Sequence, residues 1–113
     1  MTHHGKSLEH HLSLNVEQLD QRLGMGDNRS AVREVEHFSY FARRKHADQA
    51  CELLAAQGFQ VESGRRGLRM ILIARREEDV LPATVEATVR AVFVTVTTNR
   101  GEYDGWGGTV AIA

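Results

Sequence analysis

The amino-acid sequence predicts one α+β domain, because two kinds of segment alternate along its 113 residues. Some segments are rich in β-branched and aromatic residues, as strands are, and others carry apolar residues at helical spacing. Glycines separate many of these segments. The length suits a single domain with its own core, and 42% hydrophobic with 26% charged residues excludes a wholly disordered chain.

The N-terminal segment is expected to be a flexible leader over residues 1–14, followed by one domain over residues 15–113. The leader holds four of the six histidines but little apolar periodicity. Clustered histidines can bind a divalent metal, yet nothing in this segment would fix them as ligands, so we predict no metal site. A short helix is expected to begin at Asn15, a suitable N-cap residue, and to end at Gly24.

The first strand is expected over residues 31–41, and a helix with regularly spaced alanines over residues 43–57. Alternation along the strand places His37 on one face and both Phe38 and Tyr40 on the other. Because each face carries large side chains, we expect both faces of this strand to be partly covered.

A β-hairpin is expected after this helix. A short strand begins near Phe59, and the sequence Gly-Arg-Arg-Gly at residues 64–67 is typical of a turn. Residues 68–74 form a more apolar strand, which suggests a central position in the sheet. We expect the charged segment at residues 75–79 to end it.

The last two elements are a helix that begins at Asp79 and a strand over residues 108–113. Five apolar residues recur at helical spacing in this helix, although the valines and threonines of residues 92–98 also permit a strand. We assign a helix because its periodicity extends further. The resulting order, a short helix and then βαββαβ, predicts a ferredoxin-like fold with two helices on one face of a four-stranded antiparallel sheet.

The sequence contains little that would support catalysis. Cys51 lies on the apolar face of the predicted helix, where a cysteine usually acts as a small hydrophobic residue. His37 is a lone histidine in a strand, which favours a structural hydrogen-bonding role. Hydrolase, zinc and phosphate-loop motifs are absent from the sequence. We therefore predict a protein that is not an enzyme and has no catalytic residues and no cofactor.

A cytoplasmic location is expected from three features of the sequence. The single cysteine cannot form an intrachain disulfide, which fits a reducing compartment. No apolar segment approaches the roughly 20 residues that a membrane-spanning helix needs. The N-terminal residues show no secretory pattern.

Basic residues are concentrated in the middle of a chain whose net charge is −1. Arg65, Arg66 and Arg69 in the hairpin could contact RNA or another anion, with Phe38 or Tyr40 stacking on a base. The third strand carries no aromatic residue, so direct RNA binding is the less favoured hypothesis. An unrelated protein partner, or a homodimer through the open sheet face or an edge strand, is a further alternative.

The most distinctive motif is Tyr-Asp-Gly-Trp at residues 103–106. Asp104 and Gly105 form a typical turn sequence, and Tyr103 and Trp106 are large amphipathic aromatics. Trp106 either anchors the turn to the core or serves as an anchor for a binding partner. The sequence favours the structural role.

Three motifs together resemble the regulator of ribonuclease activity B (RraB) family. They are Val-Glu-His at residues 35–37, Gly-Phe-Gln-Val at residues 58–61 and Tyr-Asp-Gly-Trp at residues 103–106. The resemblance implies a small bacterial cytoplasmic protein of ferredoxin-like fold that inhibits an RNase E/G-type endoribonuclease by direct binding. It also singles out His37 together with the four residues of the last motif for partner binding or for maintaining the fold.

The charge of the chain differs from the strongly acidic composition of that family. With a net charge of −1, electrostatic attraction to a basic partner is expected to be absent or confined to the ends of the chain. One acidic cluster remains at residues 77–79.

Overall fold

The computed structural model describes residues 5–112, which form three helices and four strands. In chain order the elements are α1 (Leu8–Gly24), β1 (Arg33–Phe41), α2 (Arg44–Ala56), β2 (Gln60–Arg66), β3 (Arg69–Glu78), α3 (Pro82–Thr98) and β4 (Glu102–Gly108).

The four strands form one open antiparallel sheet in the order β2-β3-β1-β4. Alternate residues of the central strand β1, from Val35 through His37 to Phe41, are buried beneath the helices. The residues between them, including Phe38 and Tyr40, are only partly buried. The sheet therefore has one helix-covered face and one open face, rather than two partly covered faces as predicted, and the large side chains of β1 on the open face are only partly buried.

Helix α1 begins at Leu8, so the predicted start at Asn15 was wrong. Ser7 is the N-cap residue, and its hydroxyl accepts a hydrogen bond from the His10 backbone N–H at 3.2 Å. The buried stripe of α1 includes His11 and Asn15, and these polar residues concealed the helical periodicity. Residues 8–14 of the predicted leader thus belong to a helix, and the first four residues of that leader lie outside the described residues.

The hairpin between β2 and β3 is tighter than predicted. Its turn comprises Gly67 and Leu68, and Gly67 has a φ of 63°, which glycine adopts without strain. The residues at 64–66, predicted as a turn, are the end of β2. Strand β3 does not end before the charged residues, as predicted, but continues through them to Glu78. Every residue of β1 pairs with a residue of β3, which extends the strand to that point.

The helical assignment of α3 is confirmed, with its valines at helical spacing buried. Its N-cap residue is Leu81, and Asp79 instead accepts a hydrogen bond from the Leu81 N–H at 3.1 Å. The final strand was misplaced in the prediction: β4 spans Glu102–Gly108 and contains the Tyr-Asp-Gly-Trp motif, rather than residues 108–113. Among the described residues, no helix is both long and apolar enough to cross a membrane.

Candidate functional site

The Tyr-Asp-Gly-Trp motif forms a β-bulge in strand β4, where the sequence had predicted a turn. Phe38 of β1 pairs with Gly105, and the next residue, Ser39, pairs with Tyr103. Asp104 is therefore the extra residue, without a partner of its own in β1. Gly105 adopts a φ of 140°, which glycine tolerates far better than residues with a side chain.

The bulge determines where the two aromatic residues of the motif point. In a regular strand, residues three apart lie on opposite faces. With one residue inserted between them, Tyr103 and Trp106 both point into the helix-covered side, where both are buried. Asp104 remains exposed. The motif therefore inserts two large rings into the core from one short edge strand.

Tyr103 is joined to the centre of the sheet by His37. The Tyr103 hydroxyl lies 2.9 Å from His37 Nδ1, within hydrogen-bond distance, and both side chains are buried. His37 Nε2 lies 3.9 Å from Glu78 Oε1, too far for a hydrogen bond. Burial lowers the pKa of His37 and raises that of Tyr103, so both groups are neutral at pH 7.

Glu78 retains its charge beside this buried pair. Burial acts to raise the pKa of Glu78, but neighbouring His37, the hydrogen bond from Thr88 at 3.0 Å and the charge of Arg76 together lower it. Arg76 Nη2 lies 3.2 Å from the same carboxylate, and its guanidinium stacks 4.1 Å above the Phe59 ring. The buried His37 therefore lies beside an ion pair, between Arg76 and Glu78, whose two charges offset each other.

Trp106 holds helix α1 against β4. Its indole Nε1–H donates to Asn15 Oδ1 at 2.9 Å, and the Arg22 guanidinium lies 4.9 Å from the centre of its ring. Gln18 Nε2 donates to the Trp106 carbonyl at 3.3 Å. These contacts explain why a polar helix stripe is buried at this edge of the sheet.

A second polar cluster holds the segment after β4. Arg33 Nη1 lies 2.7 Å from Asp27 Oδ1, and the same carboxylate oxygen accepts the Ala111 N–H at 3.0 Å. Arg22 donates from Nη2 to the Gly108 carbonyl at 2.7 Å. Burial acts to raise the pKa of Asp27, but hydrogen bonds from Arg33 and Ala111 outweigh it and lower the pKa. The cluster joins the C-terminal end of α1 to β1 and to the end of the chain.

The predicted site residues thus divide into two groups. His37, Tyr103 and Trp106 are brought together in the core, where they stabilise the fold, which agrees with the favoured structural role of Trp106. Asp104 and Gly105 lie at the surface of the bulge. A contribution of the motif to partner binding stays a prediction, and in this structure only its surface residues could make direct contact.

The three predicted RNA-contacting arginines do not form one patch. Arg66 and Arg69 pair in register and share the open face, whereas Arg65 alternates to the other side of β2. Arg69 is already engaged, since its guanidinium lies 4.2 Å from the centre of the Tyr40 ring and 3.6 Å from a carboxylate oxygen of Glu102. One of the two candidate stacking rings is therefore covered by one of the candidate arginines.

The open face carries a cluster of acidic residues that was not predicted from the sequence. Glu36 and Glu62 lie 2.7 and 2.9 Å from Arg75, and Glu34 lies 3.7 Å from it. Glu77 pairs in register with Glu34. The signal was present in the sequence, because alternation along β1 places Glu34 and Glu36 on the same face as Phe38.

The described residues contain no group of three or more histidine, cysteine, aspartate or glutamate side chains that could hold a metal ion. Burial raises the pKa of Cys51, which keeps the thiol protonated and poorly nucleophilic. The described residues therefore offer no metal-binding cluster, and the Cys51 thiol is not activated as a nucleophile.

The fold and the site together define a small α+β domain. Its core includes the buried rings of Tyr103 and Trp106, and one face of its sheet is not covered by helices. The family model described as regulator of ribonuclease activity B matches residues 13–108, and the chain belongs to this RraB family. Membership associates the chain with regulation of ribonuclease activity rather than with catalysis. A comparison with curated proteins gave no match.

Proposed function

We propose that this protein is a noncatalytic regulator that binds and inhibits an RNase E/G-type endoribonuclease in the cytoplasm and thereby modulates RNA decay. The observation that carries the proposal is the family match over residues 13–108, which includes all four strands and most of α1. The sheet order read from the other edge, β4-β1-β3-β2, supports a ferredoxin-like assignment of the fold.

The side chains support inhibition by binding rather than by chemistry. His37, the one histidine in the sheet, is buried against Tyr103 and cannot reach a substrate. Cys51 is held as a thiol by burial. A protein with this arrangement would act on a nuclease by occupying a surface of the enzyme or by blocking its access to RNA.

Direct RNA binding is the second candidate, because Phe38 and Tyr40 lie on the open sheet face where RNA-binding sheets stack bases. Two contacts weigh against it. Arg69 covers Tyr40, and the carboxylates around Arg75 would repel phosphates approaching Phe38. A protein partner therefore fits the face better.

The test is cleavage of a labelled RNA by the host's RNase E/G enzyme, titrated with this protein. We expect inhibition that saturates near stoichiometric amounts, and an unrelated ribonuclease serves as the specificity control. A parallel titration measures RNA binding without nuclease over a range of salt concentrations. Undiminished cleavage at excess folded protein would contradict the proposal, and RNA binding that weakens steeply with salt would favour the second candidate.

A further inference from the structure

We propose that the open face of the sheet is a docking surface for a protein segment that presents both cationic and aliphatic side chains. That this segment belongs to a ribonuclease rests on the function proposed above. The open face comprises the even-numbered residues of β1 and β2, the odd-numbered residues of β3, and the residues of β4 paired with them.

The centre of this face is apolar and no helix packs on it, although the Arg69 guanidinium lies over the Tyr40 ring. Phe38 pairs with Ile73, and Tyr40 pairs with Ile71, so that four large side chains form a continuous area across the two central strands. All four are only partly buried, because the helices pack on the opposite face. Apolar area of this kind gains free energy when a partner removes it from water.

A shallow cavity beside this apolar centre can receive a side chain. Its volume is about 160 Å³, and its lining includes Ile71, Ile73 and Gly64. Gly64 lacks a side chain that would fill it, and a Cβ built there meets no atom within 4 Å. The shallow cavity is open to solvent, so one aliphatic side chain of a partner can enter it and contact Ile71 and Ile73. Glu62 also lines the cavity and would lie close to a cation that follows the aliphatic residue.

The charge of the face defines the second requirement of the partner. Three carboxylates, those of Glu34, Glu36 and Glu62, lie within 4 Å of the Arg75 guanidinium, and a fourth, that of Glu77, belongs to the residue paired in register with Glu34. Glu34 and Glu77 are cross-strand neighbours of like charge, an unfavourable arrangement in the isolated domain. A cationic side chain placed between them would remove this repulsion, and an arginine could bind the carboxylates in bidentate geometry.

Two other occupants fit less well. RNA would bring phosphates against the four carboxylates. A second copy of this chain would bring the same excess of negative charge, because five carboxylates on this face oppose the guanidinium groups of Arg66, Arg69 and Arg75, and the last two are already paired. A segment that carries both an aliphatic side chain and a cation therefore fits the face better than RNA or a second copy of the chain.

The first arm of the test uses a synthetic peptide that repeats Arg-Arg-Leu-Leu, so that each side of the extended chain carries both residue types, and this peptide is titrated into the ¹⁵N-labelled protein while amide shifts are recorded. We expect the shifts to map to the open face. The double variant Glu34→Lys/Glu77→Lys should weaken peptide binding by about tenfold or more. The matched control Glu17→Lys/Glu52→Lys, which changes the net charge equally at two exposed helix positions, should change affinity by no more than about threefold. A peptide of arginine and serine should bind more weakly than the arginine–leucine peptide.

The second arm repeats the RNA cleavage assay with the same two variants. We expect the open-face variant to lose inhibition and the helix-face control to retain it. Shifts that map to the helix side, or equal inhibition by both variants, would overturn the docking surface while leaving the proposed function intact. If the wild-type protein fails to inhibit the nuclease, the proposed function fails, and the peptide arm still decides the surface.

Sedimentation velocity over a range of concentrations completes the test. Self-association that disappears in the open-face variant would assign the face to a second copy and overturn the proposal. RNA that, added without the peptide, shifts the amide signals of the open face would overturn it as well.

Discussion

The Tyr103 hydroxyl lies 2.9 Å from His37 Nδ1, which links the edge strand β4 to the centre of the sheet inside the core. With the ring proton on Nε2, the tautomer assigned here, Nδ1 accepts the hydroxyl proton and the remaining N–H is directed toward Glu78. A protonated His37 would turn Nδ1 from an acceptor into a donor and place a charge in a buried site, where desolvation outweighs the attraction of the Glu78 carboxylate. The native fold therefore depends on a neutral imidazole.

We predict that stability falls as the pH is lowered from 7 to 5. Burial lowers the pKa of His37 below its ordinary value of about 6.5, so below that pH the unfolded chain binds a proton that the native chain does not. Linkage then reduces the free energy of unfolding by up to about 1.4 kcal/mol per pH unit for this histidine. His11, whose pKa is also lowered mainly by burial, acts in the same direction.

Urea denaturation at several pH values checks this prediction. His37→Gln should flatten the dependence between pH 7 and pH 5, whereas His10→Gln, at an exposed position beside His11, should change it far less. An unaltered slope in His37→Gln would show that the buried imidazole is not the responsible group.

Replacement of Trp106 by alanine should lower the free energy of unfolding by about 3–5 kcal/mol, since a buried ring is lost and a cavity is left. Trp106→Phe should cost less, about 1–3 kcal/mol, because it mainly leaves the Asn15 carbonyl oxygen without its donor. Denaturant titration measures both. Unchanged stability in Trp106→Ala together with weaker partner binding would contradict the structural role and assign the ring to an interface.

Gly105→Ala should destabilise the protein by about 1–3 kcal/mol, because a φ of 140° is strained for any residue with a Cβ. The space around the residue is open, so the effect isolates backbone strain from crowding. Gly24→Ala is the control, since it is also uncrowded but lies at the end of a helix. Thermal denaturation should show a lower Tm for Gly105→Ala alone, and equal Tm values would argue against the strained bulge.

Asp27→Asn should cost about 3–5 kcal/mol of stability, because Arg33 would remain buried without a counter-charge. Hydrogen exchange should also accelerate at Ala111, whose amide donates to Asp27. Asp48→Asn provides the comparison: its ion pair with Arg44 is exposed, so its loss should cost at most about 1 kcal/mol. Similar losses in the two variants would contradict the buried cluster.

The order of the strands and of the two main helices could be predicted because apolar periodicity reflects local geometry. The valine stripe of α3 is the clearest case, since its helical spacing correctly outweighed the strand preference of valine. Helix α1 shows the limit of this signal. Its buried side includes His11 and Asn15, whose burial depends on contacts with Tyr103 and Trp106 some 90 residues later. No local window contains that information.

The motif illustrates the same limit for the site. Asp-Gly is a common turn sequence, but here the pairing with β1 selects a bulge, which only the tertiary structure specifies. The acidic cluster of the open face was likewise divided among three strands. Its grouping around Arg75 follows from the order and register of the strands, which local sequence patterns do not specify.

Helix α1 also has a consequence for aggregation. Gln18 and Arg22 donate to the carbonyls of Trp106 and Gly108 on the outer side of β4, so this edge of the sheet is blocked by side chains. Within residues 5–112, β2 is then the edge at which another strand could add. Because growth of a fibril requires two available edges on every unit, these contacts of α1 with the β4 edge disfavour polymerisation of the folded protein.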